Sequence, residues 1–154
     1  MPRYYSIPFA NVAVAAVQDL FEITAVDKTF ELQEIVVAQS SDFGDSEAEG
    51  LQIVIKRGVD CNSGSGGSSV TPVSHNSHDT AATSTAKVNN TTQASGGTIT
   101  TLRAEAFNIQ AGYQYLPMPE QRPKFYDGQR CLVSITAPKD SLTVSGTIVI
   151  KEDR

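Results

Sequence analysis

Apolar and polar residues alternate along much of this chain, with a period of two. The alternation is clearest in residues 142–151 (LTVSGTIVIK), where apolar residues occupy every second position and mainly hydroxylic residues lie between them. Residues 51–56 (LQIVIK) follow the same pattern. Such a period predicts half-buried β-strands, because successive side chains of a strand point to opposite faces. Residues 130–137 (RCLVSITA) are apolar on both faces, which predicts a central strand.

Further strands follow from weaker patterns. In residues 30–37 the apolar positions change phase by one residue, which predicts a β-bulge near Gln33 and Glu34. Residues 11–22 are ambiguous and allow at most one short helix. The remaining predicted strands lie at 85–91, 98–107 and 112–116, and residues 1–9 are expected to form an edge strand or an extended N-terminal arm.

One long segment interrupts this pattern. Residues 58–83 contain SGSGG at 63–67, followed by a stretch rich in Ser, Thr, His and Asn, and we expect a long flexible loop there. The chain length fits a single domain covering residues 1–154. Together these features predict an all-β fold: a β-sandwich, jelly-roll-like, with about eight strands and one long Ser/Gly-rich loop. An open barrel is the alternative.

The charge pattern narrows the range of partners. The formal net charge is −5, and the 12 basic residues are scattered rather than clustered. Nucleic-acid binders concentrate Lys and Arg to neutralise phosphates, so we expect no nucleic-acid partner. The longest apolar run, residues 12–17, is much too short to span a bilayer, and no membrane partner is expected. Residues 1–9 resemble no leader, so synthesis in the cytoplasm is expected.

Few residues suggest metal binding. His75 and His78 are three apart, but their neighbours are loop formers, and solvated loop histidines are the plainer interpretation. An acidic stretch contains Asp42, Asp45, Glu47 and Glu49. It lacks the spacing of a calcium loop, and a solvated hairpin end explains it equally well. We therefore expect no metal and no cofactor.

The sequence also lacks a recognisable nucleophile. Cys131 lies among strand residues and Cys61 in the long segment, and a disulfide between them remains an open alternative. A nucleophilic Ser or Cys needs a nearby base, and the only histidines lie in the long segment. We therefore expect no catalytic residue. A small hydrolase is the least favoured class of function.

Aromatic residues cluster around a proline-rich turn, residues 116–123 (LPMPEQRP). Aromatic side chains beside a rigid exposed turn often anchor interfaces, and the alternative is that they cap one end of the core. Together with two tyrosines near the N-terminus they form the predicted interface set: Tyr4, Tyr5, Tyr113, Tyr115, Phe125 and Tyr126.

Several longer stretches of the chain carry a resemblance to a group of known proteins. They lie at residues 9–25 (FANVAVAAVQDLFEITA), 39–58 (QSSDFGDSEAEGLQIVIKRG), 88–97 (VNNTTQASGG), 105–123 (EAFNIQAGYQYLPMPEQRP) and 142–153 (LTVSGTIVIKED). In these stretches the chain resembles small uncharacterised proteins encoded by tailed bacteriophages and prophages. The motifs are structural rather than catalytic.

The resemblance implies a structural protein of the virion. Small β-sandwich phage proteins include capsid decoration, or cement, proteins, which commonly sit on the head as trimers. The expected function is a non-enzymatic decoration protein that binds the major capsid protein or another virion protein as a homo-oligomer, most simply a trimer. A receptor- or glycan-binding module of a tail fibre is the alternative with the same fold.

Overall fold

The computed structural model describes residues 2–41, 43–44 and 49–153. Within them the chain forms strands and one short 3₁₀ helix, Pro119–Gln121, and no helix there is long and apolar enough to cross a membrane. The prediction of an all-β sandwich is confirmed. The strands are β1 (Arg3–Val14), β2 (Gln18–Thr24), β3 (Phe30–Gln39), β4 (Gly50–Val59), β5 (Ser68–Val70), β6 (Val73–Ser74), β7 (Thr85–Asn90), β8 (Thr98–Asn108), β9 (Tyr113–Tyr115), β10 (Lys124–Phe125), β11 (Arg130–Ile135) and β12 (Leu142–Glu152).

The strands form two antiparallel sheets. Sheet 1 has the order β10-β3-β12-β1-β6, and β9 joins β10 along the free edge of β3. Sheet 2 has the order β5-β7-β2-β11-β4-β8. Eight of the twelve strands have six or more residues, and the other four have two or three.

The inward faces of the two sheets form one hydrophobic core. β12 alternates between buried and half-buried positions from end to end, as its sequence pattern predicts. β11 lies between β2 and β4, and Cys131 to Ile135 are all buried there, which confirms a central strand. The Phe9 ring of sheet 1 and the Phe21 ring of sheet 2 lie 5.2 Å apart across the sandwich. The core therefore draws on both sheets.

The predicted bulge in β3 is confirmed. Ile150 pairs with Leu32 and the preceding Val149 pairs with Glu34, so Gln33 is the extra residue. A bulge of this kind explains why the apolar positions change phase within one strand.

The N-terminal segment is not an arm. β1 pairs with β12 along most of its length, and Tyr5 and Ile7 are fully buried. Its other edge pairs with β6 only at Tyr5 and Ser6. The strand continues to Val14 and β2 begins at Gln18, so the ambiguous stretch contains strands rather than a helix.

The composition of the segment 58–83 predicted one long irregular loop, and the structure contradicts this prediction. The segment contributes the end of β4, together with β5 and β6. Residues 50–70 pair with residues 85–108 and form a long two-stranded ribbon. One end of the ribbon is the pair β4 and β8, at one edge of sheet 2, and the other end is the pair β5 and β7, at the opposite edge. Bridges from Asn62 to Ser95 and from Ser65 to Thr92 join its middle. The mobility of the segment stays a prediction.

The glycines of SGSGG are required by packing rather than by flexibility. A Cβ atom on Gly64 would lie 2.5 Å from the carbonyl oxygen of Thr92. A Cβ atom on Gly67 would lie 2.1 Å from the carbonyl oxygen of Val88. Only glycine allows two backbones to approach this closely.

Candidate functional site

The proline-rich turn lies on one open side of the sandwich. It connects β9 to β10, and both of these short strands pair with β3, β9 at Ile35–Val37 and β10 at Phe30–Glu31. The strands on either side of the turn therefore close the edge of sheet 1. The residues of the turn itself are mostly exposed.

Three predicted interface residues beside the turn are buried in the chain's own core. The Tyr113 hydroxyl donates a 2.9 Å hydrogen bond to a carboxylate oxygen of Glu105 on β8. Burial and this carboxylate both raise the pKa of Tyr113. The Arg103 guanidinium lies 5.2 Å from the centre of the Tyr115 ring. These side chains join the edge of sheet 1 to β8 of sheet 2.

Phe125 is buried in the same way. Its ring stacks on that of Phe30 at 4.9 Å, and the Arg57 guanidinium lies 5.4 Å from its centre. The interface prediction is therefore wrong for Tyr113, Tyr115 and Phe125, because a partner cannot reach side chains that already close the sandwich.

The two N-terminal tyrosines divide between core and surface. Tyr5 is fully buried, and its hydroxyl donates a 2.9 Å hydrogen bond to the carbonyl oxygen of Thr80, so it is also unavailable to a partner. Tyr4 is 40% exposed, and its ring stacks on that of His75 at 6.4 Å. Of the predicted interface set, Tyr4 and Tyr126 are the exposed members, and Tyr126 is 59% exposed.

Two apolar side chains of the turn are exposed, and the sequence interpretation missed both of them. Leu116 is 65% exposed and Met118 is 62% exposed. The signal that could have found Leu116 is the period of β9: if Tyr113 and Tyr115 face inward, the next outward position after Gln114 is Leu116. Interface prediction by aromatic content selected the inward positions instead.

Hydrogen bonds and prolines fix the shape of the turn. The Gln121 amide donates to the carbonyl oxygen of Met118 at 2.9 Å, within the 3₁₀ turn. The Arg122 side chain donates to the carbonyl oxygen of Pro117 at 3.4 Å. Pro117 is itself buried, whereas the residues on both sides of it are exposed. The turn therefore presents Leu116 and Met118 on a backbone that is already ordered.

The base of the turn is positively charged, although the chain as a whole is acidic. The carboxylate of Glu31 lies within 3.7 Å of three cations, Arg122, Lys124 and Lys151. Burial opposes ionisation of Glu31. The Gln33 amide and the lysines outweigh that effect and hold its pKa below the usual range. Three cations against one buried anion leave a local excess of positive charge beside the turn.

The candidate metal ligands do not come together. His75 Nε2 lies 2.5 Å from Ser6 Oγ, and the amide of His78 donates to the Asn76 side chain. Among the residues that the structure describes, no group of three or more His, Cys, Asp and Glu could hold a metal ion. Of the acidic stretch, Asp42, Asp45 and Glu47 lie outside the described residues. The Glu49 carboxylate accepts a hydrogen bond from the Lys139 amide.

Both cysteines are free thiols, and both are buried. Cys131 lies in the core, as predicted, and burial raises its pKa to about 12. Cys61 lies within the ribbon, where a Cβ atom on Gly58 would come within 2.4 Å of its Sγ. A thiol with so high a pKa carries almost no thiolate at neutral pH, so Cys131 is suited to packing rather than to nucleophilic attack.

Comparison with known proteins gives no family assignment. No family model, no curated protein and no solved structure matches the chain.

Proposed function

We propose that the chain is a non-enzymatic structural protein of a tailed bacteriophage particle, and that it decorates the capsid by binding the major capsid protein. The single observation that carries this proposal is the fixed, exposed apolar turn at Leu116 and Met118, beside Tyr126. The biological setting is itself part of the proposal and rests on the sequence resemblance alone.

The physical reason is that such a turn favours a protein partner. Burying a Leu or Met side chain contributes about 1.5–3 kcal/mol, and this is gained when a partner covers it. A backbone that is already ordered loses little conformational entropy on binding. The cations Arg122 and Lys124 follow the apolar residues in the chain, pair with Glu31 at the base of the turn, and would favour an acidic rim on the partner.

The strand order supports a jelly roll as the finer description of the sandwich. In sheet 1, β1, β12, β3 and β9 follow one another, and in sheet 2, β2, β11, β4 and β8 do. With β5, β6 and β7 treated as an insertion, these eight strands fall into two sheets of four in the manner of two interlocked Greek keys. A fold with most of its edges closed or short suits a protein that must stay soluble until it assembles.

We further propose that the chain acts as a homotrimer on the virion. Three copies of one weak contact give tight attachment, because the second and third contacts form within an already bound complex. Light scattering on the purified protein at two concentrations tests this step. The proposal expects three times the 16.5 kDa chain mass at both concentrations, and a strict monomer would contradict the trimer.

Co-sedimentation with heads tests the decoration role. Heads assembled from the major capsid protein of the same genome should carry the purified chain into the pellet. The double variant Leu116→Ser and Met118→Ser should weaken this binding at least about tenfold, because two apolar contacts are lost. Val73→Ser is the matched control, since Val73 is 57% exposed but lies on β6, at the opposite edge of sheet 1. Heads that never bind the wild-type chain would contradict the proposal.

A second candidate function is a receptor- or glycan-binding module of a tail fibre. The observation that favours it is a polar cleft on sheet 2, whose lining includes hydroxyl and charged side chains. Saccharide binding without capsid binding would favour this second function over decoration.

A further inference from the structure

The polar cleft has a volume of about 400 Å³ and lies where β2, β5, β7 and β11 meet residues 82–84. Seven of its fourteen lining residues are serines or threonines, and its charged residues are Glu22, Lys87 and Arg130. None of the lining residues is aromatic. The volume falls in the usual range for small-molecule sites, and the lining offers hydrogen bonds rather than stacking.

Glu22 is buried and already has its full set of hydrogen bonds. One carboxylate oxygen accepts from Ser63 Oγ at 2.6 Å and from the Arg130 guanidinium at 2.9 Å. The other accepts from the Gly64 amide and from the Asn90 side chain, both at 2.9 Å. A carboxylate has about four acceptor positions, so Glu22 has none left for a ligand.

The two cations keep unused donors. Lys87 Nζ donates to Ser63 Oγ at 2.7 Å and to the carbonyl oxygen of Gly64 at 3.2 Å, which leaves one of its three protons. One nitrogen of Arg130 donates to Glu22 and Thr24, and its other N–H groups have no partner among the described residues. Because the acceptor positions of Glu22 are filled from within the chain, these remaining N–H groups give the cleft a surplus of hydrogen-bond donors.

Several hydroxyl side chains of the cleft are exposed. Ser69, Thr71 and Thr85 line the cleft, and all three are exposed to solvent. A hydroxyl group can both donate and accept a hydrogen bond, so these side chains match the hydroxyl groups of a sugar ring.

We propose that this cleft binds a sugar unit that carries a carboxylate group. The carboxylate is held by Lys87 and Arg130, whose spare donors match its acceptor oxygens. The ring hydroxyls are held by the exposed hydroxyls of Ser69, Thr71 and Thr85. This inference rests on the second candidate function, a glycan-binding module, and does not depend on capsid decoration.

Nuclear magnetic resonance titration of the ¹⁵N-labelled chain tests the proposal. The probes are glucuronate and galacturonate, each against its neutral counterpart, glucose or galactose, and sulfate alone as a bare oxyanion. At least one acidic sugar should shift the amide signals of residues 63–64 and 82–87, and its neutral counterpart should bind at least about tenfold more weakly. Silence from both acidic sugars, or equal binding of the neutral sugar or of sulfate, would overturn it.

Three variants separate binding from folding. Lys87→Met should weaken binding of the acidic sugar about tenfold or more, whereas Lys139→Met, outside the cleft, should not. Ser69→Ala should weaken binding without lowering the midpoint of thermal unfolding, because Ser69 lines the cleft and is exposed. Ser77→Ala is the matched control, since Ser77 is also exposed but lies outside the cleft lining. Equal effects of Ser69→Ala and Ser77→Ala on binding would count against the site.

Discussion

Replacing Glu22 with Gln tests how the long ribbon is held on sheet 2. Glu22 lies on β2, is 2% exposed, and accepts four hydrogen bonds of 2.6–2.9 Å. Two of the donors, Ser63 and Gly64, belong to the middle of the ribbon. The substitution keeps the shape of the side chain but removes its charge and turns one acceptor oxygen into a donor.

The loss in the free energy of unfolding follows from the hydrogen-bond partners of Glu22, which remain in place after the substitution. Removing one member of a buried ion pair typically costs 3–5 kcal/mol, because the other charge remains buried. The Arg130 side chain is 21% exposed, so water can solvate part of its charge, and we expect the lower end, about 3 kcal/mol. For a domain of this size that loss corresponds to a midpoint of thermal unfolding lower by about 6–12 °C.

Urea unfolding followed by circular dichroism measures the loss directly. Glu120→Gln is the matched control, because Glu120 is exposed in the proline-rich turn and should change the free energy of unfolding by less than about 0.5 kcal/mol. A loss below about 1 kcal/mol for Glu22→Gln would refute the view that this carboxylate anchors the ribbon.

Three other predictions address packing, pH and thiol chemistry. Gly67→Ala should lower the free energy of unfolding by about 3 kcal/mol or more, because its Cβ would lie 2.1 Å from a carbonyl oxygen, whereas Gly44→Ala, with nothing within 4 Å, should have little effect in the same urea titration. The pKa of Glu31 is held below its ordinary value of 4.5, so the stability that its charge contributes is present above that pH and lost as the pH falls through the lower, folded-state pKa. Unfolding measured from pH 7 to pH 2 should show this loss in the wild type and less of it in Glu31→Gln, and identical profiles would contradict it. A thiol reagent at pH 7 should leave Cys131 unmodified in the folded chain and modify both Cys61 and Cys131 in urea, since both are buried and the pKa of Cys131 is raised to about 12 by burial.

The strands that pack against the core could be predicted from the sequence because burial on one face imposes a period of two. This holds for β12, for β11 and even for the bulge at Gln33, where the change of phase is visible in the letters. The long ribbon could not be predicted in this way. Its middle is held by polar side chains and by glycines that permit close backbone approach, and a Gly/Ser-rich composition also describes a flexible loop.

The predicted interface set combines side chains that close the core with side chains that are exposed. An aromatic residue near a turn can face the partner or close the core, and composition does not distinguish the two. The pairing of β9 with β3 decides it, since it turns Tyr113 and Tyr115 inward and leaves Leu116 outward. The partners of Tyr113 and Tyr115, Glu105 and Arg103, come from β8, and the contact between β8 and β9 is a tertiary one that no local pattern reveals.

The most direct test of the decoration role is an electron cryomicroscopy map of heads incubated with the purified chain, compared with a map of bare heads. The decoration role predicts added density on the outer surface of the shell, grouped in threes, with the turn at Leu116 and Met118 facing the major capsid protein. Shells that remain bare at saturating protein, or added density that contacts the shell through sheet 2 instead of the turn, would contradict it.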